Sequence, residues 1–493
     1  MRAVARAVVD DDGLIAWTTP WRGGLVDERE DLSARSGPFR SYQRHVAVEP
    51  ASDGRHRVTS TVEFSVAVPY WRWLFGPLLM PSLRKLGAPL PWWGPADHVD
   101  ARASRVLGLL CVASLVTGYL GTLMTQTITY AADDFGLHGY RPQTIALACA
   151  RLSVFFAVAL VALADRRGRR RMLLLATAGG CVLTAFTALA PNIVWFTVAQ
   201  IPARGFATAV GVLVVVVAAE EMPAGGRAFG VSLLGMSAAL GAGICVLSLR
   251  VATTSDGGWR WLFLLPLLAL PLVRGVGRLL PESRRFEAPH AVGTLAGHGD
   301  RLWLLAASVF LLQLFTAPAS QLQNEFLRNE RAYTAVAISL FTTCTATPAG
   351  IGVVLAGHLA ETHGRRIIGA VGLVGGVGAT VLMFLTHGPA MWTWSLVGSV
   401  IGAMTVPALG VYGPELFATG VRARANATLV VAGVLGSGGG LLAAGPLADR
   451  VGGLGHALAL LAIGPAICVV LVLTRYPETA HLELEDLNPE DRV

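Results

Sequence analysis

The sequence predicts an all-α polytopic membrane protein, with twelve transmembrane helices in two pseudo-symmetric six-helix bundles preceded by a small cytoplasmic α+β region. Three observations predict it. Of 493 residues, 53% are hydrophobic and only 14% are charged, with a mean hydropathy of +0.56; a soluble protein carries about 25% charged residues. From Arg105 onward the chain is a series of apolar runs, each near or above the ~20 residues that cross ~30 Å of hydrocarbon. Charged landmarks recur at one fixed offset. This composition excludes an ordinary soluble enzyme, a disordered chain and a fibrous one.

Residues 1–104 stand apart. They hold 13 Lys+Arg and 12 Asp+Glu, with no run long enough to span a bilayer. Val58, Val62, Phe64, Val66 and Val68 alternate with polar or small residues, as a strand does. Tyr42, Arg44, Val46 and Val48 form a second such run, and Ala51-Ser52-Asp53-Gly54 between them reads as a hairpin turn. Residues 70–86 read as a helix or an interfacial segment, with Pro77 and Pro81 weighing against a regular helix. Trp92 and Trp93 follow in a Pro-rich linker and suit a membrane–water interface.

The first six spans are expected at 105–131, 142–164, 172–190, 192–219, 228–250 and 258–280. The second six are expected at 301–323, 333–360, 367–387, 390–412, 426–447 and 455–475. Runs this continuous exclude a barrel. The domains are then 1–104, a 105–280 bundle, a 281–300 linker, a 301–475 bundle and a 476–493 tail. The net charge of +7 comes from arginines in the short loops. With the N-terminus inside, twelve arginines fall in inner loops and six in outer ones, which predicts cytoplasmic termini in a plasma (inner) membrane. No nucleic-acid partner is expected. Six cysteines lie in apolar runs without CxxC spacing, so inert buried thiols are expected, with no metal site and no cofactor.

The repeat is the sharpest signal. Asp165-Arg166-Arg167-Gly168-Arg169-Arg170 recurs 196 residues later as Glu361-Thr362-His363-Gly364-Arg365-Arg366. Pro281-Glu282-Ser283 recurs at the same offset as Pro477-Glu478-Thr479. Glu220 and Arg227 recur as Glu415 and Arg422, 195 residues on. Two parallel six-helix repeats imply a pseudo-two-fold axis along the membrane normal, with the binding site between the halves.

With these motifs in hand, residues 105–480 resemble the major facilitator superfamily. Asp165–Arg171 is similar to the family's loop between helices 2 and 3. The segments 281–286, 414–422 and 477–479 are similar to its markers after helices 6, 10 and 12. The resemblance implies a secondary transporter working by alternating access, with Asp165, Arg166, Gly168 and Arg169, and their counterparts Gly357, Glu361, Gly364 and Arg365, gating the inner side. Glu220, Arg227, Glu415 and Arg422 belong to the same gate. Val161 stands where the family has Gly, which is expected to loosen a helix contact. Gly445–Gly452 mimics the loop motif but falls outside the membrane in this topology. Gly118-Tyr119-Leu120 lacks the acidic residue of sugar porters at its third position. Residues Gly37–Leu86 resemble the last strands and helix of helix-grip domains.

Arg204 and Arg151 sit within spans, where ionisable residues are functional candidates. Arg204 is expected to face the central cavity, with Gln200 one turn away on the same face. Asp133, Asp134, Gln313 and Gln321 complete the candidates for substrate or proton coupling, and Thr342, Thr343, Thr345 and Thr347 either line a cavity or bond their own backbone. The chain contains no GxxxxGK[ST] nucleotide loop, so an ion or solute gradient supplies the energy. The expected partners are protons, the lipid bilayer and a small-molecule solute, for which an anion is one option. The alternative is a membrane sensor on a transporter fold, with the N-terminal region as reporter. An enzyme is not expected.

Overall fold

The structure, a computed structural model, describes residues 1–51, 55–137, 146, 149–248, 251, 257–284, 298–323, 326–327, 330–333, 335–418 and 421–488. The N-terminal part is a small α+β module. Its central strand β5 (His56–Val66) pairs antiparallel with β1 (Arg2–Val9) on one side and with β4 (Phe39–Pro50) on the other. The β4–β5 pair is the hairpin that the valine alternation predicts; its tip, 52–54, lies outside the described residues. β1 carries little sequence signal, because Ala3, Ala5 and Ala7 form its inward side and alanine gives weak hydropathy contrast. α1 (Asp11–Thr18) is capped by Asp10, whose carboxylate accepts from the Gly13 N–H at 2.9 Å. A two-stranded sheet pairs β2 (Asp27–Glu28) with β3 (Ala34–Ser36).

α2 (Arg72–Leu83) is a helix despite Pro77 and Pro81. Both prolines lie on its exposed side, where water can satisfy the carbonyls they leave unpaired. The opposite side seats Leu79 and Leu83 in the module core beside Val62 and Phe64. In that core Glu28 and Arg44 form an ion pair at 2.5 Å, with both side chains fully buried. Tyr42 donates its hydroxyl to Glu28 at 2.6 Å, and Arg44 donates to the carbonyls of Trp17 and Thr19. Burial and the adjacent carboxylate push the Tyr42 phenol well above its usual range.

The remainder is helical. The first half contains span 1 (Ala101–Asp134), span 2 (Ser153–Arg167, led by the 3-10 turn Ala150–Leu152) and span 3 (Arg169–Leu189). Span 4 (Ile193–Glu221), span 5 (Arg227–Ser248) and span 6 (Trp259–Leu279) complete it. The second half contains span 7 (Gly299–Gln321), span 8 (Ala335–Ala346 and Ala349–Thr362), span 9 (Arg365–Leu385), span 10 (Gly388–Glu415), span 11 (Arg422–Val451) and span 12 (Leu454–Thr474). Among the described residues, eleven helical segments are long and apolar enough to cross a membrane; span 2 is the short one, and 147–148 just before it are not described. The chain is a multi-pass membrane protein.

Glycine sets the closest helix contacts. A Cβ on Gly118 or Gly241 would lie 1.9 Å from a backbone oxygen of the facing helix, which locks span 1 to span 5. Gly436 and Gly440 do the same between spans 11 and 7. Small residues at helix interfaces are what lets backbones touch in lipid. The halves meet where span 2 packs on span 11 and span 5 on span 8. At the second contact a Cβ on Gly357 would fall 2.3 Å from Ser232 Oγ. Val161, the residue in the corresponding place, is fully buried.

One sequence expectation needs correction. Cys111, Cys181, Cys245 and Cys468 are buried, but Cys149 and Cys344 are exposed. An apolar run in a membrane helix turns as many residues to lipid as to the core, so hydropathy does not predict burial here. No metal-holding cluster occurs among the described residues.

Candidate functional site

The repeated loops build one charge cluster at one end of the two bundles. Span 2 stops at Gly168, whose φ of +97° turns the chain sharply into span 3; Gly364 repeats this at φ +93°. Each turn brings an arginine back on the carboxylate four residues earlier. Asp165 lies 3.3 Å from Arg169, and Glu361 accepts from Arg365 at 2.9 Å. Each arginine also reaches the acid that ends the helix next to it. Arg169 contacts Glu220 at 3.1 Å, and Arg365 contacts Glu415.

Two further arginines cross between the halves. Arg422 of span 11 donates to Glu220 at 2.7 Å, and Arg227 of span 5 donates to Glu415 at 3.3 Å. The first carboxylate of each loop meets the other half's helix N-terminus. Asp165 accepts from the Arg424 N–H at 3.1 Å, and Glu361 from the Ala228 N–H at 2.7 Å. Helix N-termini favour negative charge there. All four acids and the four arginines Arg169, Arg227, Arg365 and Arg422 are at most 3% exposed, and their charges balance. Arg166 is exposed and stands outside the cluster.

The markers after spans 6 and 12 close the ring. Glu282 accepts from the Arg170 N–H, and Glu478 from the Arg365 N–H, both at 3.0 Å, so each caps the start of a span. Ser283 donates to Glu220 at 2.6 Å, and Thr479 accepts from Arg365 at 2.9 Å. Gly445–Gly452 is at the opposite end of span 11 from Arg422 and takes no part.

Inward of this cluster, a cavity of about 620 Å³ lies between the halves. Arg204, Thr208 and Gly211 of span 4 line one wall, with Arg151 at the head of span 2. Asn426, Gly433 and Ser437 of span 11 and Gln313 of span 7 line the other. Arg204 contacts the Gly121 carbonyl at 3.4 Å. Arg151 donates to Ser437 at 2.5 Å and to Gln321 at 3.4 Å. Gln313 accepts from Thr316 at 2.6 Å. No carboxylate or histidine lines this cavity among the described residues.

Gln200 and Asp134 are not brought to this cavity, and the threonine run takes its backbone-bonding alternative at Thr345. Gln200 does not join Arg204; its amide is buried and donates to Thr187 at 2.8 Å, toward span 3. Four residues advance a helix by about 400°, so the two are not quite superposed, and Pro202 between them removes a helix bond. Asp134 pairs instead with Arg260 at 2.6 Å and Trp259 at 3.2 Å. The Asp133 side chain lies outside the described residues. Thr345 donates to the backbone of its own helix at 2.9 Å, and none of the four threonines of that run lines the cavity. The sequence reading missed Thr208, Asn426 and Ser437. Their signal is a stripe at helical spacing: Arg204, Thr208, Gly211 and Val215 on span 4, and Asn426, Gly433 and Ser437 on span 11.

The fold and site thus define a two-bundle membrane protein, closed at one end by buried ion pairs around a central polar cavity. Residues 107–316 match the family model described as Major Facilitator Superfamily. The described structure is similar to the E. coli proton:xylose symporter XylE, at 17% identity and TM-score 0.67, covering 79% of this chain and 99% of that one. It is similar to the E. coli fucose:proton symporter FucP in the outward conformation, at 14% identity and TM-score 0.62, covering 75% and 98%. It is also similar to the human organic anion transporter MFSD10, at 16% identity and TM-score 0.62, covering 75% and 99%. No curated protein matches by sequence. Residues 107–316 are thus similar in sequence to the Major Facilitator Superfamily, and the two bundles share the fold of these solved transporters.

Proposed function

We propose that the protein is a secondary transporter of a small organic anion, working by alternating access in the plasma membrane with both termini cytoplasmic. One observation carries the anion: two arginines, Arg151 and Arg204, line a central cavity whose described wall offers no carboxylate. An arginine at mid-membrane costs about 2.5–3.5 kcal/mol on insertion scales. Carbonyl and hydroxyl contacts orient these guanidiniums, no carboxylate among the described residues pairs with them in the cavity, and an anionic group on the solute would compensate their charge. Ser437, Asn426 and Gln313 supply neutral hydrogen bonds for the rest of the molecule. The similar fold of MFSD10, an organic anion transporter, agrees in kind.

The charge cluster is the proposed cytoplasmic gate. In this state its inter-half ion pairs are made and the cavity is sealed on that side. Solute binding would draw the bundles together around the arginines, and the gate pairs would part as the opposite end closes. Protons are the proposed coupling ion. Reconstituted vesicles test the reading: uptake of labelled mono- and dicarboxylates, with and without a pH gradient, against neutral sugars. Uptake of sugars alone would remove the anion assignment, and uptake indifferent to pH would remove the proton.

A further inference from the structure

The transport cycle leaves the N-terminal module without a task, yet the module is built onto the gate. Its apolar side rests on the first half: Val68, Trp71 and Phe75 face Leu107 and Phe229 across a small apolar cavity, and Trp71 Nε1 donates to the Gly108 carbonyl at 3.0 Å. The chain then runs across the gate on its way to span 1. The N–H groups of Ala96 and Asp97 donate to the Gly225 carbonyl at 3.0 and 3.3 Å. The Asp97 carboxylate accepts the Gly225 N–H in return at 2.7 Å. A Cβ on Gly225 would lie 2.6 Å from that carboxylate, so the approach requires glycine. Next to it, the Ala224 carbonyl accepts from Arg365 of the gate at 3.2 Å.

The same segment touches the second half. His358 Nδ1 lies 3.2 Å from the Gly94 carbonyl; a carbonyl only accepts, so this nitrogen carries the proton. His358 sits one turn before the gate residue Glu361 on span 8. His481, in the segment after span 12, lies 3.9 Å from Asp97.

We propose that residues 1–104 act as a gate clasp, fixed to the first half and holding the second through His358 and His481, so that they favour the gate-closed state. The inference rests on the alternating-access reading. Opening the gate carries span 8 away from span 5 and from the Gly225 turn. The contacts of residues 94–97 to the second half must then break, while those to the first half need not. A contact shifts a conformational equilibrium only by its difference between the two states. One net hydrogen bond corresponds to about a fivefold shift, so the clasp tunes the gate and does not lock it. Whatever lifts the module from Gly225 and His358 releases the gate, which gives the extension a regulatory function.

The test uses the full chain in nanodiscs, with Cys149 and Cys344 changed to Ser and spin labels on Arg167→Cys and Thr362→Cys. The label separation reports gate opening with no solute present. His358→Ala together with His481→Ala is expected to raise the open population about fivefold or more. His358→Asn, whose amide nitrogen stands where Nδ1 was, is expected to remain as closed as the parent. Should the double variant not fold, His358→Ala alone, which removes the bond to the Gly94 carbonyl, gives the same readout with the roughly fivefold opening of one hydrogen bond. A distance distribution unchanged by loss of these contacts overturns the clasp, as does His358→Asn opening as far as alanine. Failure of the anion assignment shows separately, as absent uptake with gate motion intact.

Discussion

Glu220 and Arg422 belong to different halves of the chain, and their side chains meet at 2.7 Å with both fully buried. Glu415 and Arg227 repeat the relationship with the halves exchanged, at 3.3 Å. Two equivalent cross-bundle pairs, each backed by the arginine of the neighbouring loop, therefore join the halves at the proposed gate.

Glu220→Gln removes the carboxylate but leaves Arg169 and Arg422 buried beside each other. Breaking one member of a buried pair costs about 3–5 kcal/mol. Opening the gate hydrates both arginines, so the variant is expected to populate the open state. Thiol labelling at a cysteine placed on Asn426, one turn inside Arg422, should become fast from the gate side. Labelling as slow as in the parent would show that this pair does not hold the gate.

Asp165→Asn and Glu361→Gln are expected to impair transport to similar extents, because each carboxylate meets the helix N-terminus of the opposite half. The charge–dipole contact is worth about 0.3–1 kcal/mol when exposed and up to ~2 when partly buried. Membrane insertion, measured by protease protection, should be unchanged in both. A strong effect in one variant and none in the other would break the symmetry argument.

Gly364→Ala places a side chain at φ +93°, with its Cβ 2.9 Å from the Glu478 carboxylate. Strain of this kind costs about 1–3 kcal/mol. The melting temperature in detergent should fall, and Gly168→Ala, at φ +97°, should fall by a comparable amount. An unchanged melting temperature would mean that the turn relaxes freely.

Much of this charge cluster was legible in the sequence because charge is rare in an apolar chain and each copy is local. Asp165 and Arg169 are four apart, and the 196-residue offset duplicates them. Which arginine of one half takes which acid of the other was not legible, since partners such as Glu220 and Arg422 are joined only by the packing of the bundles. Gln200 shows the limit of helix-face reasoning. A buried amide takes the nearest hydroxyl, here Thr187, and a proline between two positions blurs their phase. The strand Arg2–Val9 escaped because its inward face is mostly alanine while Val4 and Val8 stand on the outward face beside Arg2 and Arg6, so hydropathy hardly alternates.

Arg44→Ala tests whether the module depends on its buried pair. Among the described residues it leaves the buried Glu28 carboxylate with the Tyr42 hydroxyl and the Trp21 backbone N–H, which donates to it at 2.8 Å. A loss of about 3–5 kcal/mol is expected, seen as faster amide exchange in β4 and β5 with the spans unaffected. Exchange equally slow in both proteins would assign the pair no structural weight.

The anion site stands or falls on Arg204. In proteoliposomes, Arg204→Gln should retain the parent melting temperature within a few degrees and lose at least tenfold in uptake of the anionic solute. That loss is the factor given by ~1.4 kcal/mol of missing charge–charge contact. A stable Arg204→Gln protein that takes up the anion at the parent rate would contradict the account.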